Sequence, residues 1–161
     1  MTSLLVVALL GQYQDEITIG FARTTAKAPP LPITAKSSFT VTLFNGTKKP
    51  VSLLNENNSW GYEMVSFELK NPTGPLTQIT RKPRAWDKND PTPVIVQSVD
   101  MIHRKISFGD GTWQGLPAGI AGQRDGWQVR MKLTLKPEKI LTERGIWSGT
   151  ITSKWTPAAL E

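Results

Sequence analysis

The chain has 161 residues, enough for one domain that buries its own core without staples. It has no cysteine, which excludes disulfides, thiolate nucleophiles and thiolate metal sites together. Hydrophobic residues make up 39% and charged residues 20%, a globular rather than a disordered balance, and the net charge of +6 favours anionic partners or simple solubility.

At the N-terminus, Leu4–Leu10 is a short apolar run followed by Gly11 and Gln12. It is shorter than the roughly 20 residues a membrane-spanning helix requires. Residues 1–11 are read as an export signal or an N-terminal extension, and residues 12–157 as a single domain. A C-terminal tail over 158–161 follows. Glu16–Ala22 alternates Ile17, Ile19 and Phe21 against polar or small residues and predicts a strand. Pro29, Pro30 and Pro32 then favour an extended connection over a central strand.

Ser38–Phe44 puts Phe39, Val41 and Leu43 on one face. Asn45-Gly46 predicts a tight turn, and Pro50–Leu54 a short return strand. After the polar loop 55–61, Tyr62–Lys70 alternates strictly, with Val65, Phe67 and Leu69 inward. The cluster Asn71–Pro75 is a turn, and Leu76–Arg81 reads as the next strand. Arg81–Asp90 is basic and loop-like. Val94–Val99 and Ile102–Phe108 read as one bent strand or two.

A Gly-rich loop runs from Gly115 to Gly126. Trp127, Val129, Met131, Leu133 and Leu135 then form the cleanest period-two face in the chain. Ile146–Trp155 closes the domain, with Trp147, Ile151 and Trp155 in phase. No window of ten residues carries a helical apolar repeat. Short strands recurring every 8–12 residues or so indicate a sandwich or barrel, in which amphipathic sheets bury their apolar faces against each other.

The segments SFTVTLFNGTKKPVSL, VSFELKNPTG, DGWQVRMKLTL and GIWSGTITSKW, in that order, resemble bacterial immunoglobulin-like sandwich domains of envelope and exported proteins. The intracellular proteinase-inhibitor (BsuPI) type is close in pattern. The matching features are the Asn turn at Asn45–Val51, Gly126-Trp127 opening a late strand, and Trp147, Gly149 and Ser153 in the final one. The resemblance implies an antiparallel, all-β, immunoglobulin-like sandwich of about 7–9 strands. It implies no shared active site.

His103 is the only histidine, and no G-x-S-x-G elbow accompanies it, so no catalytic centre is expected. No zinc or calcium ligand pattern is present, and no metal or cofactor is expected. Trp127, Trp147 and Trp155 read as core. Trp60, Trp86 and Trp113 lie in loops, where an indole either caps the sandwich or stacks a ligand. Arg81, Lys82, Arg84 and Lys88 cluster around Trp86, with Arg104 and Lys105 as additions. The candidate ligand-binding set is therefore Trp60, Tyr62, Arg81, Arg84, Trp86 and Trp113. No nucleic-acid module matches this order, so no nucleic-acid partner is expected. The expected function is a non-catalytic, exported binding module for a protein or polysaccharide. Carbohydrate binding through the loop tryptophans and proteinase inhibition through Gly109–Gly126 are the alternatives.

Overall fold

A computed structural model of the chain describes residues 16–22, 28–87, 89–117 and 126–160. The expected export signal over 1–11 lies outside the described residues, as do residues 118–125 of the Gly-rich loop.

The chain folds as an all-β sandwich. The first sheet has the order β1 (Ile17–Phe21), β3 (Ser38–Asn45), β8 (Asp100–Ser107), all antiparallel. The second sheet runs β2 (Leu31–Pro32), β12 (Thr156–Ala159), β10 (Trp127–Leu135), β5 (Val65–Lys70), β6 (Leu76–Arg81), β9 (Trp113–Gln114). In it β11 (Gly149–Thr152) also pairs with β10. β4 (Val51–Leu54) and β7 (Pro93–Val96) form a separate ribbon. Twelve strands are thus described, more than the expected number, because several are only two to four residues long. One pairing, β12 with β2, is parallel. No helix among the described residues is long and apolar enough to cross a membrane.

The period-two faces sit as read. Phe39, Val41 and Leu43 of β3 face Val65, Phe67 and Leu69 of β5 and the buried face Trp127–Leu135 of β10 across the core. Phe67 is its hub, with ring centroids of Phe39, Phe108 and Trp113 at 5.6, 5.5 and 5.4 Å. The Phe39 and Phe108 contacts are edge-to-face and the Trp113 contact is tilted; edge-to-face packing adds about 0.5–1.5 kcal/mol per pair beyond simple burial.

Several expectations are corrected. Asn45-Gly46 does not close a hairpin, since β4 pairs with β7 and β3 pairs with β1 and β8. Neither residue takes a positive φ, as a two-residue hairpin turn of the primed type would require. Asn45 instead is fully buried, and its Nδ2 donates to the carbonyls of Lys49, Val96 and Gln97. Its Oδ1 accepts from the Thr47 N–H and hydroxyl. That side chain fixes the crossover where a turn was expected.

Of the two readings of residues 94–108, the two-strand one is observed: β7 and β8 lie in different sheets, separated by a turn in which Val99 has φ 57°. The expected C-terminal tail is partly core: β12 pairs with β10, and Ala158 and Leu160 are buried. A short helix, α1 (Lys139–Glu143), buries only Leu141 and was too brief to leave a period. In the Trp-x-Gly-x-x-x-Ser stretch, Gly149 has φ 147°, and a Cβ there would come 3.0 Å from the Trp147 ring. The buried Ser153 hydroxyl accepts from the Met131 N–H.

Candidate functional site

The aromatic and basic candidates meet where the loop after β4, the end of β6 and β9 come together. The loop 55–64 is shaped by Asn58, whose Oδ1 accepts the N–H groups of Trp60 and Gly61, an Asx-type turn. Gly61 is required there by space: an added Cβ would stand 2.1 Å from the Asn55 carbonyl oxygen. The loop is clamped to the segment after β6 through Asn89. Its carbonyl accepts the Trp60 indole N–H at 2.9 Å, and its Oδ1 accepts the Ser59 hydroxyl at 3.0 Å.

Arg81 and Trp113 are cross-strand partners at the end of the β6–β9 pairing. From them a stack runs outward. The Arg81 guanidinium lies 4.0 Å over the Trp113 ring and 5.4 Å from the Tyr62 ring. Tyr62 meets Trp86 edge-to-face at 5.2 Å, and the Arg84 guanidinium covers Trp86 at 4.5 Å. Cations and rings therefore alternate along much of the cluster, each contact of a kind worth about 0.5–2 kcal/mol depending on desolvation.

Beneath the stack lies a charge network. Arg81 Nη1 donates to the Thr112 hydroxyl and lies 3.6 Å from Asp110 Oδ2. Arg81 Nη2 is 3.8 Å from Glu56 Oε2, and Arg104 Nε is 3.8 Å from Glu56 Oε1. Glu56 thus sits between an arginine of the second sheet and one of the first. Burial pushes its carboxyl above the usual range, against the lowering effect of Arg104 and Arg81. Desolvation prevails because neither guanidinium approaches to hydrogen-bond distance. Glu56 and Arg104 also wall a small cavity between the sheets, about 20 Å³, otherwise lined by Val41, Leu43, Leu53, Leu54, Met64, Ile102, Met131 and Leu133. That is room for roughly one water. Among the described residues the buried nitrogens Asn58 Nδ2, Arg81 Nε and Trp113 Nε1 have no hydrogen-bond partner, and all three belong to this region.

The structure brings Tyr62, Arg81, Arg84, Trp86 and Trp113 into one stack and Trp60 onto the same pair of loops. It does not leave them equally accessible. Trp113, expected in a loop, is a core residue at 3% exposure, packed on Phe67 and Phe108. Its ring is closed to a ligand. Tyr62 is buried, Trp60 and Trp86 are half-buried, and Arg84 is exposed. Trp155, expected in the core, lies half-buried on the second sheet with Arg130 over its ring at 4.5 Å and Lys70 at 5.9 Å. Trp147 is likewise half-buried, whereas Trp127 is buried as expected.

His103 is exposed and pairs its Nδ1 with the Thr42 hydroxyl at 2.9 Å. It neighbours Arg104 in β8, so the two side chains take opposite faces of the strand and His103 is turned away from Glu56. In the Gly109–Gly126 segment, Trp113–Gln114 is strand rather than free loop. Sequence reasoning missed Glu56, Asp110, Thr112 and Asn89, because each sits in a turn-forming stretch where polar residues ordinarily face water. Comparison of the chain with protein-family models, with curated proteins and with solved structures finds no match.

Proposed function

We propose that this chain is a non-catalytic, immunoglobulin-like binding module, exported from the cell, that engages a protein partner through the Trp86–Arg84 end of the stack. One observation carries the reading. The aromatic and basic residues of two separate loops converge on a single end of a rigid sandwich, and the stack they build ends in a half-buried indole and an exposed guanidinium. Loops held by a packed scaffold are where such modules place their specificity, and Trp and Arg are the residues that dominate protein-protein hot spots. Trp113 is buried, the Trp60 N–H is tied to Asn89 and Arg84 covers Trp86, so a flat platform for a sugar ring is not preformed. This favours a protein over a polysaccharide partner.

The test is tryptophan fluorescence of the parent chain and of Trp86→Phe, titrated with peptide and polysaccharide panels. A shift in the parent that is missing in the variant is the expected result. A screen for turnover on esters, glycosides and peptides should stay blank. A rate abolished by Glu56→Gln or His103→Ala would overturn the proposal.

A further inference from the structure

The chain leaves β6 at Arg81 and runs through Lys82, Pro83, Arg84, Ala85 and Trp86 without regular structure. Pro83 fixes its own φ and steers Lys82 away from helical backbone, which favours an extended path. In an extended chain alternate side chains share a side, spaced by roughly 7 Å. The Arg84 guanidinium, 4.5 Å over the Trp86 ring two residues on, fits this relation, and Lys82 stands two residues before Arg84.

Lys82 and Arg84 are exposed, and among the described residues neither takes part in an ion pair. Arg81 and Arg104, by contrast, are engaged by Glu56 inside the molecule. The cluster therefore engages Arg81 and Arg104 within the molecule and presents Lys82 and Arg84, beside Trp86, outward. An arginine whose face rests on an indole keeps its planar fork oriented and its edge free, a geometry suited to a carboxylate.

Resting on the binding reading above, we infer that Lys82, Arg84 and Trp86 form a recognition track for an extended acidic peptide with carboxylates at alternate positions. Alternate residues of an extended peptide recur at the same roughly 7 Å as Lys82 and Arg84, so two successive carboxylates meet two successive cations. Arg84 lies over the Trp86 ring and closes that face to a stacking sugar, which favours a peptide.

The experiment uses the full chain and labelled octapeptides read by fluorescence anisotropy. The probes are alternating Ser-Glu, its Ser-Gln counterpart, and a block of four serines followed by four glutamates; polygalacturonate is a competing polymer. The alternating acidic peptide should bind best, and the glutamine peptide should not bind. Lys82→Ala and Arg84→Ala should each weaken binding by about tenfold, as for loss of one charge-assisted hydrogen bond. The unfolding midpoint of Lys82→Ala should stay at the parent value, that of Arg84→Ala should fall slightly through loss of its contact with the Trp86 ring, and Lys136→Ala should change nothing. Equal binding of the alternating and block peptides, or no effect of Arg84→Ala, would overturn the track. Binding of polygalacturonate alone, lost in Arg84→Ala, would overturn the peptide class and the choice of a protein partner, and would leave only the loop end as the binding site. Silence from all probes would overturn the inference, while the Trp86 fluorescence test decides the broader reading separately.

Discussion

The Arg81 guanidinium lies 4.0 Å over the ring of Trp113, its cross-strand partner, and the two join the loop-end cluster to the core. Trp113 packs below on Phe67 and Phe108, and Arg81 carries Tyr62 above. A cation so enclosed is held by several partial contacts: Thr112, Asp110, Glu56 and two rings.

Arg81→Ala should therefore cost about 3–5 kcal/mol, the range for removing one member of a buried charge network. Arg81→Lys should recover little of it, because an ammonium keeps the charge but loses the planar face that rests on Trp113. Urea unfolding midpoints of the two variants check this. A lysine variant as stable as the parent would show that charge alone matters there.

Glu56→Gln should be neutral or stabilising near neutral pH, because the ionised carboxylate is desolvated more than its two arginines compensate. The sign of the pH dependence follows. The folded-state pKa is raised, so the folded protein holds this proton more tightly than the unfolded chain does. The associated stability is fully present below the ordinary glutamate range of about 4.3 and is lost as pH rises through the higher folded value. Unfolding curves of parent and variant at several pH values should show the parent losing ground to Glu56→Gln as pH rises from about 4 towards 7.

The tryptophans should sort by burial. Trp127→Ala and Trp113→Ala should each cost about 3–5 kcal/mol, since both empty the core. Trp86→Ala should cost only about 1 kcal/mol, the scale of its contacts with Tyr62 and Arg84. Thermal or chemical denaturation gives the ranking, and a loss at Trp86 equal to that at Trp113 would contradict it.

Asn45→Ala should destabilise by about 1–3 kcal/mol, because it leaves the buried Val96 carbonyl and the part-buried carbonyls of Lys49 and Gln97 without their shared donor. Asn45→Asp should fare no better, since it replaces that donor by a carboxylate facing the same oxygens. Hydrogen exchange of the amides around Lys49 and Val96, together with the unfolding midpoint, measures the effect.

How much of this was legible in the sequence depends on the range of the signal. The inward sets Phe39-Val41-Leu43, Val65-Phe67-Leu69 and Trp127 to Leu135 were readable because alternation is local: residues two apart share a face of a pleated strand whatever lies opposite. The grouping of Arg81, Arg84 and Trp86 was readable because they are close in the chain. The addition of Tyr62 and Trp113 rested on residue type alone.

Tertiary structure decided the rest. It sent the chain after Asn45 into β4, which pairs with β7 and not with β3, made Trp113 core and left Trp155 on an outer face, and set Glu56 between Arg81 and Arg104. Sequence by itself thus determined an all-β chain with defined inner faces. Which strands pair, which indoles are covered and which charges are desolvated follow from contacts between segments distant in the chain, and local patterning carries no information about those.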